Sequence, residues 1–127
     1  MCGIIGINSN RPVSSTIISS LKKLEYRGYD SAGIATLSNN EINEIKSEGR
    51  VDNLENNLLV QKMEGTIGIG HVRWATHGLP NSINAHPHSS QNVSVVHNGI
   101  IENSTLLKKF LVSKAVSYTH LTLPTKA

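Results

Sequence analysis

The chain has 127 residues, which fits a single domain, and its hydrophobic content of 38% is enough for one modest core. A single cysteine excludes an internal disulfide framework and is typical of a reducing compartment. The sequence has neither a run of 18 apolar residues nor a basic, apolar leader at its start. Composition therefore predicts a cytoplasmic protein that does not span a membrane.

The net charge of +3 is unevenly distributed along the chain. Residues 1–102 carry eight Lys or Arg and nine Asp or Glu, 8 − 9 = −1, whereas residues 103–127 carry four lysines and no acid. Only five residues are aromatic, and the basic residues do not cluster. Because a nucleic-acid site needs a concentrated basic surface, we expect no nucleic-acid partner.

Hydrophobic periodicity predicts a mixed pattern of helices and strands. Within residues 13–25, apolar side chains recur at i, i+1, i+4 and i+7 from Ile17, which is one face of a helix. Asn39 and Asn40 separate two apolar runs and predict a hairpin, and Asn103 is expected to cap the last helix. In chain order, the predicted elements are a strand at 3–7, a helix at 13–25, strands at 34–37 and 42–45, a helix at 51–63, strands at 67–71 and 93–96, and a helix that reaches residue 110.

The polar residues that could carry chemistry cluster in three stretches, GHVRWATHG (70–78), NAHPH (84–88) and VVHNGII (95–101). Five of the six histidines fall between His71 and His97, so metal binding has to be weighed. These histidines lack the short, regular spacing of zinc ligands, no second cysteine is present, and residues 66–101 contain no acid. The sequence therefore predicts no metal site.

Two of these stretches contain donors suited to an anion. The planar guanidinium of Arg73 matches a carboxylate, and Thr76 and His77 lie close enough in sequence to add donors. Asn98 and the backbone N–H of Gly99 form the donor pair that an oxyanion hole requires. Each signal also has an ordinary explanation, a structural arginine in one case and an Asn-Gly turn in the other.

Cys2 follows the initiator methionine directly. It could be a buried hydrophobic residue at the start of a strand, since free cysteine is often buried. Alternatively, removal of Met1 would leave Cys2 with a free α-amine beside its thiol, which puts a nucleophile and a base on one residue. Position alone leaves both interpretations open.

Five stretches taken together are similar to one known family. In chain order they are MCGIIGI, LEYRGYDSAGIA, GHVRWATHG, NAHPH and VVHNGIIEN. Over Met1 to about Leu111 they resemble the glutaminase domain of the glutamine–fructose-6-phosphate aminotransferase (isomerising) family, which are class II glutamine amidotransferases with an N-terminal nucleophile. EYRGYDSAG and RWATHG distinguish it from amidotransferases whose acceptor is phosphoribosyl pyrophosphate or aspartate.

The resemblance implies an α+β fold, a four-layer αββα sandwich of the N-terminal nucleophile hydrolase type that is incomplete at its C-terminus. Cys2 would attack the side-chain carboxamide of L-glutamine once Met1 is removed. Asn98 and Gly99 would stabilise the oxyanion, and Trp74 and Arg27 would help to gate ammonia transfer and support the loop of the nucleophile, respectively.

The resemblance further implies that Arg73, Thr76 and His77 hold the α-carboxylate of glutamine. It implies no cofactor and no metal. No acidic residue follows Glu102, so nothing here matches the aspartate with which the family binds the α-ammonium group.

The resemblance also implies that the chain is truncated. Residues 1–112 are interpreted as the N-terminal part of a class II glutamine amidotransferase domain. Residues 113–127 are interpreted as an unrelated tail and an assembly artefact, because VSYTHLTLPTKA resembles a translated sequencing adapter.

The expected activity is glutamine hydrolysis, which supplies ammonia for the conversion of fructose 6-phosphate to glucosamine 6-phosphate in hexosamine biosynthesis. Fructose 6-phosphate would bind only to an isomerase module that the chain lacks, and the full-length enzyme is expected to be a homo-oligomer. The alternatives are an inactive truncated fragment and a non-catalytic module that binds glutamine.

Overall fold

The computed structural model describes residues 2–75 and 79–114 of the chain. It contains both strands and helices, as the periodicity predicts. In chain order they are β1 (Gly3–Asn8), α1 (Ser14–Leu24), a 3₁₀ turn (Glu25–Arg27), β2 (Ser31–Ser38), β3 (Glu41–Glu48), α2 (Val51–Val60), β4 (Ile67–Arg73), β5 (His88–Ser90), β6 (Val93–Val95) and α3 (Ser104–Ser113).

Four strands form an antiparallel sheet in the order β1-β4-β2-β3. Strand β4 is therefore central, with Gly3 opposite Val72 on one side and Ala32 opposite Val72 on the other. Strands β2 and β3 are joined at Asn39 and Asn40, both with positive φ (52° and 62°), which is the conformation of a tight hairpin turn. Strands β5 and β6 form a separate hairpin.

Helices α1 and α2 cover one face of the sheet and form the core with it. Helix α1 buries Ile17, Ile18 and Leu21, and α2 buries Val51 and Leu54, the residues that the helical period brings onto one face. The core cluster also contains Val13, Ala32, Ile34, Ile45, Met63 and Val72. Apolar burial between these two helices and the sheet therefore holds the main layer pair together.

Glycines of β4 let α1 approach the sheet closely. Side chains alternate along a strand, so Gly68 and Gly70 face α1 while Ile67 and Ile69 face the other way. A Cβ on Gly70 would lie 2.6 Å from Ile17 Cγ2, and one on Gly68 would lie 2.7 Å from Ile17 Cδ1. The glycine face of β4 is thus a packing surface for Ile17.

The second face of the sheet is covered only in part. The segment that contains β5 and β6 lies against it, since a Cβ on Gly33 would lie 2.1 Å from the carbonyl oxygen of His86. Beyond that cover, Ile4, Leu37 and Ile67 keep 40–43% of their surface exposed. The described residues form an α+β arrangement with a helical layer, a sheet and the beginning of a second sheet.

Most predicted elements are confirmed, with boundary changes of a few residues, and α2 and Asn103 need correction. Helix α2 ends at Val60 and not at Met63, because Gln61 is extended. Asn103 precedes α3 but its side chain makes no capping bond, since its backbone (φ −98°, ψ 27°) lies outside the extended region that an N-cap requires. Strand β5 was not predicted.

Within residues 2–75 and 79–114, no helix is long and apolar enough to span a membrane. The longest helix of this part of the chain, α1, has 11 residues.

Gly70→Ala should destabilise the fold because its methyl group would overlap Ile17. Overpacking of this kind costs about 1–3 kcal/mol, measurable as a lower midpoint in urea denaturation. Gly6→Ala is the matched control, since its Cβ would meet only Ile69 Cγ2 at 3.9 Å, which is ordinary contact. Equal losses in the two variants would contradict the close packing of α1 on β4.

Candidate active site

The site lies where three strand ends meet at one end of the sheet. Gly3 pairs with Val72, so one step further along the same register Cys2 comes beside Arg73 and the adjoining Trp74. On the other side of β4, Ser31 pairs with Arg73, and the N–H of Asp30 donates to the carbonyl oxygen of Arg73 at 3.3 Å. The antiparallel register therefore brings three distant segments together.

Cys2 receives hydrogen bonds from three other parts of the chain, namely the 3₁₀ turn, the end of β4 and the segment after β6. The backbone N–H of Trp74 donates to the Cys2 sulfur at 3.4 Å. The carbonyl oxygen of Cys2 accepts from Arg27 Nε at 2.9 Å and from Asn98 Nδ2 at 3.1 Å. The side chain is half-buried and is a free thiol. The main chain of Cys2 is thus held on two sides while its sulfur faces an N–H donor.

The turn after β4 is held by an aspartate. Asp30 accepts a short hydrogen bond from the N–H of Ala75 through one carboxylate oxygen, and from Ser31 Oγ at 3.0 Å through the other. Arg73 is buried, with 2% of its surface exposed, and its Nη1 donates to the carbonyl oxygen of Leu79 at 2.8 Å. Asp30 and Arg73 therefore tie together both sides of the loop that follows β4.

A cleft of about 310 Å³ opens beside this turn. Trp74 is 46% exposed and meets Tyr29 edge-on, with 5.9 Å between the ring centroids. The lining residues are Tyr29, Asp30, Trp74, Ala75 and Pro80. A second cavity, lined by Ala35, Leu37, Ile42, Ile67, Asn92 and Ser94 among others, lies on the uncovered apolar face of the sheet. The first cleft includes Trp74, whose backbone N–H donates to the Cys2 sulfur.

Asn98 and Gly99 follow the end of β6. Asn98 Oδ1 lies 2.8 Å from His71 Nε2 while its amide nitrogen donates to Cys2. Gly99 has φ +152°, a backbone conformation that side-chain-bearing residues rarely adopt, and a Cβ there would lie 3.1 Å from His97 Nε2. The Asn-Gly pair is therefore held in a conformation that requires glycine at its second position.

Three buried histidines stack beneath Asn98. The rings of His71 and His86 are 4.5 Å apart and nearly parallel, and His88 meets His86 edge-on at 4.5 Å. All three have 3% or less of their surface exposed. His86 Nδ1 accepts a hydrogen bond from the N–H of His97 at 3.2 Å, which ties the segment that carries Asn98 to the stack.

Burial keeps His71 and His86 neutral. It lowers the pKa of His71 from 6.5 to about 4, against the opposing effect of hydrogen bonding to Asn98 and to the backbone of His97. It lowers the pKa of His86 to about 2, and the positive charges that His71, His88, Lys46 and Arg73 can carry add to this effect. At neutral pH the stack therefore carries no charge at these two positions.

The structure brings together four of the residues singled out in the sequence, namely Cys2, Arg27, Trp74 and Asn98. Arg73 lies next to Trp74 but donates to a loop carbonyl, and Gly99 adjoins Asn98. Thr76 and His77 lie outside the described residues. The roles of all of these residues remain predictions. In the described part of the chain, no three His, Cys, Asp or Glu side chains are arranged to hold a metal ion.

Sequence reasoning missed two residues of this site, Asp30 and His71. Asp30 is the one acid between Glu25 and Glu41 and directly precedes a strand, a position from which a carboxylate can reach a neighbouring turn. His71 is two residues before Arg73 on the same strand, so strand alternation puts both on one face. Alternation thus associates His71 with Arg73, but it does not predict the contact of His71 with Asn98.

The chain is similar to known proteins that share one name. No family model matches the chain. It is 52% identical over 122 residues to "Glutamine--fructose-6-phosphate aminotransferase [isomerizing]" of Mesorhizobium japonicum, covering 96% of this chain and 20% of that protein. The protein of the same name from Clostridium acetobutylicum is 53% identical over 120 residues, again with 20% of its length covered. The chain thus spans about a fifth of the length of these relatives.

Solved structures agree on the fold. Glutamine phosphoribosylpyrophosphate amidotransferase from B. subtilis, complexed with ADP and GMP, superposes with a TM-score of 0.77 at 26% identity, over 100% of this chain and 27% of that one. A structure described as the allosteric regulatory enzyme of purine biosynthesis gives 0.76 at 29% identity, over 94% and 26%.

The fold and the arrangement around Cys2 define a glutamine amidotransferase domain with an N-terminal nucleophile. The expected α+β fold, an αββα sandwich of the N-terminal nucleophile hydrolase type, is thereby confirmed. More narrowly, the chain belongs to the glutamine–fructose-6-phosphate aminotransferase (isomerising) family and matches its glutaminase domain. The resemblance seen in the motifs is therefore confirmed.

Stability should fall as the pH drops below about 6.5. The unfolded chain protonates His71 and His86 near their ordinary pKa of 6.5, whereas the folded chain does so only near 4 and 2, so the unfolded state binds more protons in this window. Each histidine then adds a slope of up to about 1.4 kcal/mol per pH unit. In urea denaturation between pH 4.5 and 7, His86→Phe should reduce the slope by about that amount. An unchanged slope would contradict a neutral, buried His86.

Proposed function

We propose that residues 1–112 form the nucleophile-bearing part of a glutaminase, in which Cys2 attacks the side-chain carboxamide of L-glutamine. The observation that carries this proposal is the convergence on Cys2 of hydrogen bonds from Arg27, Trp74 and Asn98, residues 25 to 96 positions away in the sequence. A buried strand-end cysteine that served only for packing would not require donors on both its carbonyl oxygen and its sulfur.

The first step needs a base close to the thiol. After removal of Met1, the α-amine of Cys2 has an ordinary pKa of about 7.7–8.0, so part of it is unprotonated near neutral pH and can take the thiol proton. The N–H of Trp74, 3.4 Å from the sulfur, stabilises the thiolate that forms. The thiolate then forms a C–S bond to the carboxamide carbon.

The second step collapses the tetrahedral intermediate. One N–H of the Asn98 amide donates to the Cys2 carbonyl, which leaves its second N–H for the oxyanion, together with the backbone N–H of Gly99. The C–N bond breaks, the ammonium proton of Cys2 goes to the departing nitrogen, and ammonia leaves. Water hydrolyses the resulting thioester to glutamate and regenerates the thiol.

Binding of glutamine is assigned to the loop after β4. In this proposal, Arg73 holds the α-carboxylate with Thr76 and His77. The hydrogen bonds of Arg73 with Leu79 and of Asp30 with Ala75 hold the two sides of that loop. Trp74, half-exposed beside the cleft, is assigned to gating of ammonia, and Arg27 to support of the nucleophile through the Cys2 carbonyl.

The acceptor of ammonia is proposed from the names of the curated relatives. These are aminotransferases that act on fructose 6-phosphate, and the chain spans about a fifth of their length. We infer that fructose 6-phosphate binds to the part of such an enzyme that this chain does not span, in a cytoplasmic homo-oligomer. Residues 113–127 are proposed to lie outside the domain as an unrelated tail.

A hybrid enzyme tests the glutaminase proposal directly. In it, residues 1–112 replace the aligned residues of the relative that is 52% identical. The hybrid should release ammonia from glutamine, and Cys2→Ala should abolish release without changing its elution volume or thermal midpoint. The 127-residue chain is assayed beside it and measures whether the fragment works alone. A folded hybrid that binds glutamine without turnover would favour the non-catalytic binding module.

Two substitutions in the hybrid should separate binding from chemistry. Arg73→Ala removes a charge-assisted contact worth about 1.5–3 kcal/mol, so it should mainly raise KM. Asn98→Ala should lower kcat by roughly a hundredfold or more, because its donor matters most as negative charge develops. Steady-state kinetics with glutamine measure both parameters. An unchanged kcat for Asn98→Ala would contradict the oxyanion assignment.

A further inference from the structure

We propose that His71 is a positioning residue that fixes the orientation of the Asn98 carboxamide, through a neutral ring protonated at Nε2. This inference rests on the proposed glutaminase function for its kinetic consequence. The orientation of the Asn98 amide follows from hydrogen-bond chemistry and does not depend on that function.

The Cys2 carbonyl determines which end of the Asn98 amide faces it. A backbone carbonyl oxygen only accepts hydrogen bonds, so the Asn98 atom 3.1 Å from it must be the amide nitrogen. The Asn98 oxygen is then the atom that faces His71 Nε2 at 2.8 Å. An amide oxygen also only accepts, so His71 Nε2 must carry the proton.

The opposite tautomer of His71 would reverse this arrangement. An unprotonated Nε2 is an acceptor and would require the amide nitrogen of Asn98, which would turn the Asn98 oxygen toward the Cys2 carbonyl. Two acceptors would then face each other, and the side chain would present an oxygen where the proposed mechanism needs an N–H donor. The ring proton of His71 therefore selects the productive orientation.

The position of the His71 ring is fixed by its surroundings. His71 is fully buried on the central strand β4 and stacks on His86. Asn98 is exposed and lies on an irregular segment, where an amide can rotate in water. His86 holds the backbone N–H of His97, so the segment is attached to the two stacked rings at consecutive residues. The contacts of His71 with Asn98 and of His86 with His97 thus limit rotation of the Asn98 side chain.

The ring proton can be observed in the 127-residue chain without any activity. In ¹⁵N-labelled protein, the imidazole of His71 should have a protonated Nε2 and an unprotonated Nδ1 at pH 7. Asn98→Asp should raise the pH at which His71 takes up its second proton, because a carboxylate at that position favours the imidazolium. A His71 ring protonated at Nδ1, or a titration that Asn98→Asp leaves unchanged, would overturn the proposal.

Kinetics of the hybrid enzyme test the consequence. His71→Leu should lower kcat by roughly tenfold to a hundredfold with little change in KM, since misorientation weakens an oxyanion donor. His71→Gln, whose amide nitrogen can reach the place of Nε2, should recover most of kcat. His88→Leu is the control, a buried histidine of the same stack whose ring lies against His86 and Lys46, and it should keep kcat within about threefold.

The outcomes distinguish the two proposals. Equal losses of kcat in His71→Leu and His88→Leu, or no rescue by His71→Gln, would overturn the positioning role while leaving the glutaminase proposal intact. An unsubstituted hybrid without glutamine hydrolysis would contradict the glutaminase proposal, and the tautomer measurement would then decide whether His71 orients Asn98.

Discussion

The whole arrangement depends on the register of β4 between β1 and β2. Gly3 and Ala32 both pair with Val72, so the start of β1, the end of β4 and the start of β2 lie at one end of the sheet. A slip of one residue would turn every side chain of β4 to the opposite face. It would also separate Cys2 from the backbone of Trp74. The hydrogen bonds of the sheet are therefore the first determinant of the site.

Strand β4 serves the core with one face and the site with the other. Its glycines face α1 and let Ile17 approach the backbone, while His71 and Arg73 face the second side of the sheet. Alternation with a period of two makes this division possible within seven residues. Glycine weakens most strands, but here it lets α1 pack closely on the strand that carries His71 and Arg73.

Local features of the sequence predicted local structure well. The helix of residues 14–24 follows from its apolar period, and the hairpin follows from Asn39 and Asn40, because both depend on neighbours in the chain. The contacts of Asp30 with Ala75 and of His71 with Asn98 join residues 45 and 27 positions apart, so no local pattern encodes them. The motif resemblance predicted which segments would carry the site, but only the sheet register specifies which atoms meet.

Two of the three donors that meet at Cys2 bind its main-chain carbonyl oxygen, and the third binds its sulfur. A residue just outside the end of a strand frays unless its backbone is tied down. Arg27 and Asn98 both donate to the Cys2 carbonyl from different sides, and β1 pairing begins at the next residue. Because Asn98 also contacts His71, a displacement of Cys2 would also disturb the contact of Asn98 with a buried ring. Placement of the thiol and orientation of the amide are thus coupled through one carbonyl oxygen.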